Sequence, residues 1–192
     1  MTDLPSEYSP EERRWLLRLA HMSIRAAVLN QPTNFPEAGA HLREPRGAFT
    51  TLHENGQLRG CIGYVIAYAP LDQTVRETAR AAALEDTRFS PVRAAELDAL
   101  QLEISVLSPM FPMAPEEVIV GRHGLMITHQ GRRGLLLPQV PIEWGWNREA
   151  FLAQTCRKAG LPQDCWTRGA QIEAFTAEVF GESHPCESLR ES

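Results

Sequence analysis

The dipeptide Asn55-Gly56 constrains this chain more than any other pair of residues. It stands between two runs with strand character, 48–54 and 57–65, and Asn-Gly supplies the left-handed residues that a two-residue hairpin turn needs. A two-residue loop sets the pairing: Glu54 opposite Gln57, Leu52 opposite Arg59, Thr50 opposite Cys61, Ala48 opposite Gly63. Opposed residues share a face. Cys61 is therefore expected beside Arg59, Gly63, Thr50, Leu52 and Ala48, with Leu58, Ile62, Phe49 and His53 turned to the core. A slip of one residue would move Cys61 to the other face.

The rest of the chain supplies what such a hairpin packs against. Ser9-Pro10-Glu11-Glu12 is a capped helix start with a capping box, and Trp15, Leu16, Leu19, Met22 and Ala26 follow at helical spacing to about Leu29. A second helix is predicted over 70–86, with Leu71, Val75, Ala79, Ala82 and Ala83 on one stripe. Residues 100–107 alternate as a half-buried strand, with Leu102, Ile104 and Val106 on one face and Glu103 and Ser105 on the other. Three prolines make 108–115 a loop. A second hairpin is expected around residues 130–133. Asn147 opens a helix that Gly160 closes, and 170–180 reads as one last strand. Strands and helices out of strict alternation predict an α+β fold, with a mainly antiparallel sheet and helices packed on it.

Composition excludes several functions. A hydrophobic fraction of 43% is enough for a packed interior and argues against disorder. With 24 acidic and 19 basic residues, the net charge of -5 disfavours nucleic-acid binding, which needs clustered positive charge. The first residues lack a signal-peptide pattern, and no apolar run suits a membrane span, so a cytoplasmic protein without membrane contact is expected. None of Cys61, Cys156, Cys165 and Cys186 forms a Cys-x-x-Cys pair. Four free thiols and no metal site are expected in a reducing compartment.

Cys61 carries the functional question. Ala48, Thr50 and Gly63 are small and leave room beside the thiol, and Gly60 and Gly63 allow a ligand or a backbone to approach. Arg59 lies two residues away on the expected shared face, where a guanidinium favours the reactive thiolate. The alternative is that Cys61 is a small buried hydrophobe, as free cysteines usually are.

Leu58-Arg59-Gly60-Cys61-Ile62-Gly63 resembles the signature of the AMMECR1 family, which includes the proteins called AmmeMemoRadiSam system protein A. The segments 86–92, 102–109, 134–140 and 156–161 resemble further family segments in the same order, so the likeness spans about 10–181. It implies a single AMMECR1-like domain over 1–192, folded as a compact α+β unit of two lobes; the polar residues of 182–192 read as a loose tail. Family relatives are encoded beside, or fused to, Memo-like and radical-SAM proteins, which implies a shared pathway. The family's cysteine is a suspected active residue, and that role carries onto Cys61.

Other residues join the candidate site. Glu103 could be a base, a partner for Arg59 or Arg88, or a solvated carboxylate. His123 and His129 bracket a strand and are further base candidates. Gln139 and Trp146, with Trp144, could floor a pocket or cover the core. Cys156 falls on its helix stripe and Cys165 adjoins Trp166, so both read as packing. Two functions compete: an enzyme or enzyme component with a reactive Cys61, working beside Memo-like and radical-SAM partners on an unidentified substrate with no cofactor assigned, and a non-catalytic binding or adaptor module in which Gly60-Cys61-Ile62-Gly63 is a packing junction.

Overall fold

The computed structural model describes residues 6–182, so Cys186 and the rest of the expected tail beyond Glu182 lie outside the described residues. The hairpin forms where expected. β1 (Ala48–Glu54) and β2 (Gln57–Tyr64) join through Asn55 and Gly56, both at positive φ (52° and 75°). The register departs from expectation. Glu54 opposes Gln57 and His53 opposes Leu58, but Leu52 opposes Gly60. Arg59 is the extra residue of a β-bulge, and beyond it the pairing is shifted by one. Cys61 therefore opposes Thr51 rather than Thr50, and Gly63 opposes Phe49 rather than Ala48.

The chain divides into two compact units, one formed by residues up to Val106 and again from Glu178, the other by Leu107–Ala177. The first is built on a four-stranded sheet ordered β2-β1-β3-β8, where β3 is Leu100–Leu107 and β8 is Ala177–Gly181. Helix α1 (Pro10–Val28) starts at Ser9, whose side chain accepts the Glu12 N–H while the Glu12 side chain accepts the Ser9 N–H. It packs on α2 (Leu71–Leu84), and α2 lies on β1 and β2. All five residues of the expected α2 stripe are buried. The α1 stripe is shifted: Leu16, Leu19, Ala20, Ser23 and Ile24 are buried, while Trp15, Met22 and Ala26 are only half-buried. From β1 the core receives Ala48, Thr50 and Leu52, not the expected Phe49 and His53; from β3 it receives Leu102, Ile104 and Val106, as the alternation predicts.

The second unit carries a sheet ordered β4-β7-β5-β6. Here β4 is Phe111–Pro112, β5 is Gly124–His129, β6 is Arg132–Leu136 and β7 is Gln171–Phe175. The proline-rich 108–115 stretch is thus not all loop. Pro112 occupies an edge strand, where a missing N–H breaks no ladder. The last expected strand is two: β7 and β8 belong to different sheets, and Thr176 between them exchanges hydrogen bonds with Ser108. Two short elements follow β6: α3 (Val140–Glu143) and α4 (Arg148–Lys158), the latter capped by Asn147 and followed by Gly160 at φ 69°. The core gathers Leu125, Ile127, Phe151, Leu152 and Ala174.

Cys156 and Cys165 are buried there as expected, but they are not free thiols: they form a disulfide. The bridge ties α4 to the short 3-10 turn Cys165–Thr167, with nine residues of separation. Closing a loop of that size in the unfolded chain is worth about 2–3 kcal/mol. Reduction, or Cys156→Ala with Cys165→Ala, is expected to lower the stability of the second unit by that amount. The urea midpoint followed through Trp144, Trp146 and Trp166 fluorescence measures it, and an unchanged midpoint on reduction would contradict the constraint.

Candidate functional site

The face of the first sheet turned away from α2 carries Phe49 and Thr51 of β1, Cys61 and Gly63 of β2, and Glu103 and Ser105 of β3, all half-buried. Register places Cys61, Thr51 and Glu103 in one row across three strands. The Thr51 hydroxyl donates to the Cys61 sulfur at 3.3 Å. The contact follows from pairing type. Cys61 turns its N–H and C=O away from β1, so Thr51 and Cys61 form a non-hydrogen-bonded pair, the kind whose side chains approach closest.

Those outward groups are held by the segment after α2. The Cys61 N–H donates to Asp86 Oδ2 at 2.8 Å, and Arg88 Nη2 donates to the Cys61 carbonyl at 3.3 Å. Arg88 also grips the Asp86 carboxylate with two bonds, Nε to Oδ1 at 2.9 Å and Nη2 to Oδ2 at 2.7 Å. Asp86 is 4% exposed at its side chain and Arg88 is 56% exposed. The Arg88 hydrogen bonds, joined by the Cys61 and Arg88 N–H groups, hold the Asp86 carboxyl well below the usual carboxylate range despite burial.

Several expected site residues do other work. Arg59, the bulge residue, donates through Nε to Glu96 at 2.8 Å and through Nη1 to the Ser90 carbonyl at 2.9 Å, so its guanidinium is committed to the 90–96 segment rather than to the thiol. Its hydrogen bond leads the interactions that lower the Glu96 pKa. Thr50 is fully buried on the opposite face, with its hydroxyl 2.8 Å from that of Thr78. Neither glycine leaves room for a ligand. A Cβ on Gly60 would sit 2.2 Å from the Ala82 carbonyl oxygen of α2, and one on Gly63 would sit 2.2 Å from the Phe49 ring. Of the expected group, the structure brings Cys61, Glu103 and Arg88 to one sheet region, and adds Thr51 and Asp86. Thr51 was missed because the bulge has no local sequence signature. The Asp86-x-Arg88 spacing was visible but had no assigned target.

Gln139 and Trp146 belong to the second unit. Gln139 is exposed at the start of α3, and its carbonyl accepts the Ile142 and Glu143 N–H groups. Trp146 packs on the second core and stacks on the exposed Trp144, with ring centroids 6.0 Å apart. His123 and His129 do not share a strand, since β5 begins at Gly124. His123 is buried, accepts the Ile119 N–H at its Nδ1, and has its pKa lowered by burial and then by Arg122. His129 pairs with Arg132 at the hairpin end. Among the described residues no three His, Cys, Asp or Glu side chains are grouped to hold a metal, and no helix is long and apolar enough to cross a membrane.

An α+β protein with a half-exposed cysteine pinned at a sheet edge is the class that this geometry defines. Within that class the chain belongs to the AMMECR1 family, whose sequence profile matches residues 17–180. A protein of Thermococcus onnurineus is 45% identical over 185 residues, covering 89% of this chain and 90% of that protein. One from Methanothermobacter thermautotrophicus is 41% identical, covering 92% and 98%. The crystal structure of the uncharacterized protein PH0010 from Pyrococcus horikoshii matches with a TM-score of 0.71 at 41% identity, covering 90% of this chain and 93% of that one.

Two substitutions test the geometry. Gly60→Ala is expected to cost several kcal/mol, because the clash is with helix backbone; urea unfolding that shows a loss under about 1 kcal/mol would contradict the close approach. Asp86→Asn removes charge-assisted bonds and is expected to cost about 2 kcal/mol at neutral pH. The folded-state pKa of Asp86 lies below its unfolded value. Its contribution is therefore complete above about pH 4 and is lost as the pH falls below that. Stability curves of the wild type and Asp86→Asn should converge toward pH 2, and parallel curves would refute the assignment.

Proposed function

We propose that this chain is an enzyme or enzyme component that works through the Cys61 thiol, beside Memo-like and radical-SAM partners. One observation carries the reading. Among the described residues Cys61 is the free cysteine, half-exposed on the sheet face turned away from α2, with a hydroxyl on its sulfur and its main-chain N–H and C=O both held. A nucleophile gains from a fixed position, since orienting the attacking atom lowers the entropic part of the barrier. Two strand spacings of about 4.8 Å separate the Cys61 and Glu103 backbones. Glu103 therefore acts on a substrate laid across Thr51 rather than on the sulfur itself. Arg88, more than half exposed at the same edge, is ion-paired with Asp86 and offers hydrogen-bond donors rather than an unpaired positive charge.

The adaptor reading has its own support. Gly60 and Arg59 serve packing, and the stacked Trp144–Trp146 pair presents an exposed aromatic surface. Native iodoacetamide labelling, quantified for each cysteine by mass spectrometry, separates the two. The thiol reading expects Cys61 to label in the folded protein about as fast as in the urea-unfolded chain, the disulfide-bonded Cys156 and Cys165 staying unlabelled in both, and expects Cys61→Ser to abolish activity while changing stability by less than about 1 kcal/mol. Cys61 silent until unfolding, with clear destabilisation on Cys61→Ser, would overturn it in favour of the packing junction.

A further inference from the structure

A cavity of about 460 Å³ opens between α1 and α2 in the first unit, under the loop that carries Phe35. It lies within the size range of small-molecule sites. Its apolar wall is Ala26, Ala27 and the Phe35 ring. Its distinctive polar group is Arg76, whose guanidinium carbon lies 3.9 Å from the centroid of Phe35. Stacking satisfies the flat face of a guanidinium and leaves the N–H groups in its plane to seek acceptors. The Arg76 Nε is closed off from solvent and has no hydrogen-bond partner among the described residues. Such orphaned donors are rare in folded proteins, and an absent partner is one of their few explanations. Two neighbouring groups are engaged elsewhere: Arg80 pairs with Glu85 at 2.7 Å, and the Ser23 hydroxyl donates to the Arg76 carbonyl at 2.7 Å.

The geometry points to a binding site for a small organic acid, its carboxylate on the outer amino groups of Arg76 and its apolar body against Ala26, Ala27 and Phe35. A planar carboxylate matches the fork formed by the outer amino groups and balances the charge of a cation whose Nε has no acceptor of its own among the described residues. Glu77 on the same lining opposes a second negative charge, and the cavity is far larger than an inorganic anion needs, so a monocarboxylate fits better than phosphate. The competing account is local. Asp72 stands four residues before Arg76 on α2, its Oδ1 is also without a partner, and a rotamer change would let the two pair along the helix.

Benzoate is a suitable probe, with benzamide and inorganic phosphate as controls, titrated into the full chain and followed by amide nitrogen–proton NMR. Benzoate is expected to give saturable shifts at Ala26, Ala27, Phe35 and Arg76, with at least tenfold higher affinity than either control. Arg76→Met should weaken benzoate at least tenfold in a chain that keeps its native spectrum, and Arg76→Gln provides the same comparison if the first variant does not fold. Asp72→Asn should leave benzoate binding intact or tighten it. Absence of saturable shifts at those amides, equal binding of benzamide or phosphate, or undiminished benzoate binding in the Arg76 variants would overturn the assignment.

Discussion

The extra residue at Arg59 is the constraint on which the first unit depends. Without it, a two-residue loop at Asn55-Gly56 would place Cys61 opposite Thr50, on the face buried against α2. The bulge reverses the parity of β2 relative to β1. Gly60 then meets the Ala82 carbonyl, and Cys61 emerges on the far face beside Thr51. A bulge bends its strand and leaves one residue unpaired; here that residue is turned to use, since its guanidinium holds the chain after α2. The arginine and first glycine of the signature thus set where the cysteine points.

What the sequence made legible was local. Asn55-Gly56, the Ser9–Glu12 capping box, the α2 stripe and the alternation of β3 depend on residues within a turn or two of each other, and each formed as its pattern predicted. What was hidden depends on partners distant in the chain. The bulge answers to Ala82 and Glu96, the disulfide to the fold-back after α4, and the break between β7 and β8 to Ser108. Within the candidate site, Cys61 was found by its residue type and surroundings, while Thr51 waited on register. Thr50 was misassigned for that same reason.

Each unit solves one packing problem in the same way. In the first, Gly60 on the second strand of a hairpin lets the α2 backbone come close; in the second, Gly134 on β6 does so for α4, where a Cβ would lie 2.3 Å from the Ala159 nitrogen. A strand glycine normally weakens a sheet, because it adds backbone entropy and no side chain. Removing the side chain at one point lets the helix backbone sit directly on the strand.

The Asp86–Arg88 clamp has a consequence for how other chains can meet this protein. β2 is an outer strand of its sheet, and an outer strand ordinarily offers free N–H and C=O groups that another polypeptide can zip onto. At Cys61 both groups are already occupied, by a carboxylate that takes the N–H and a guanidinium that supplies the carbonyl's donor. The margin of the sheet is sealed there against strand addition. Anything that reaches the sulfur must come across the broad surface of the sheet, over Thr51 and Glu103, and recognise side chains rather than backbone.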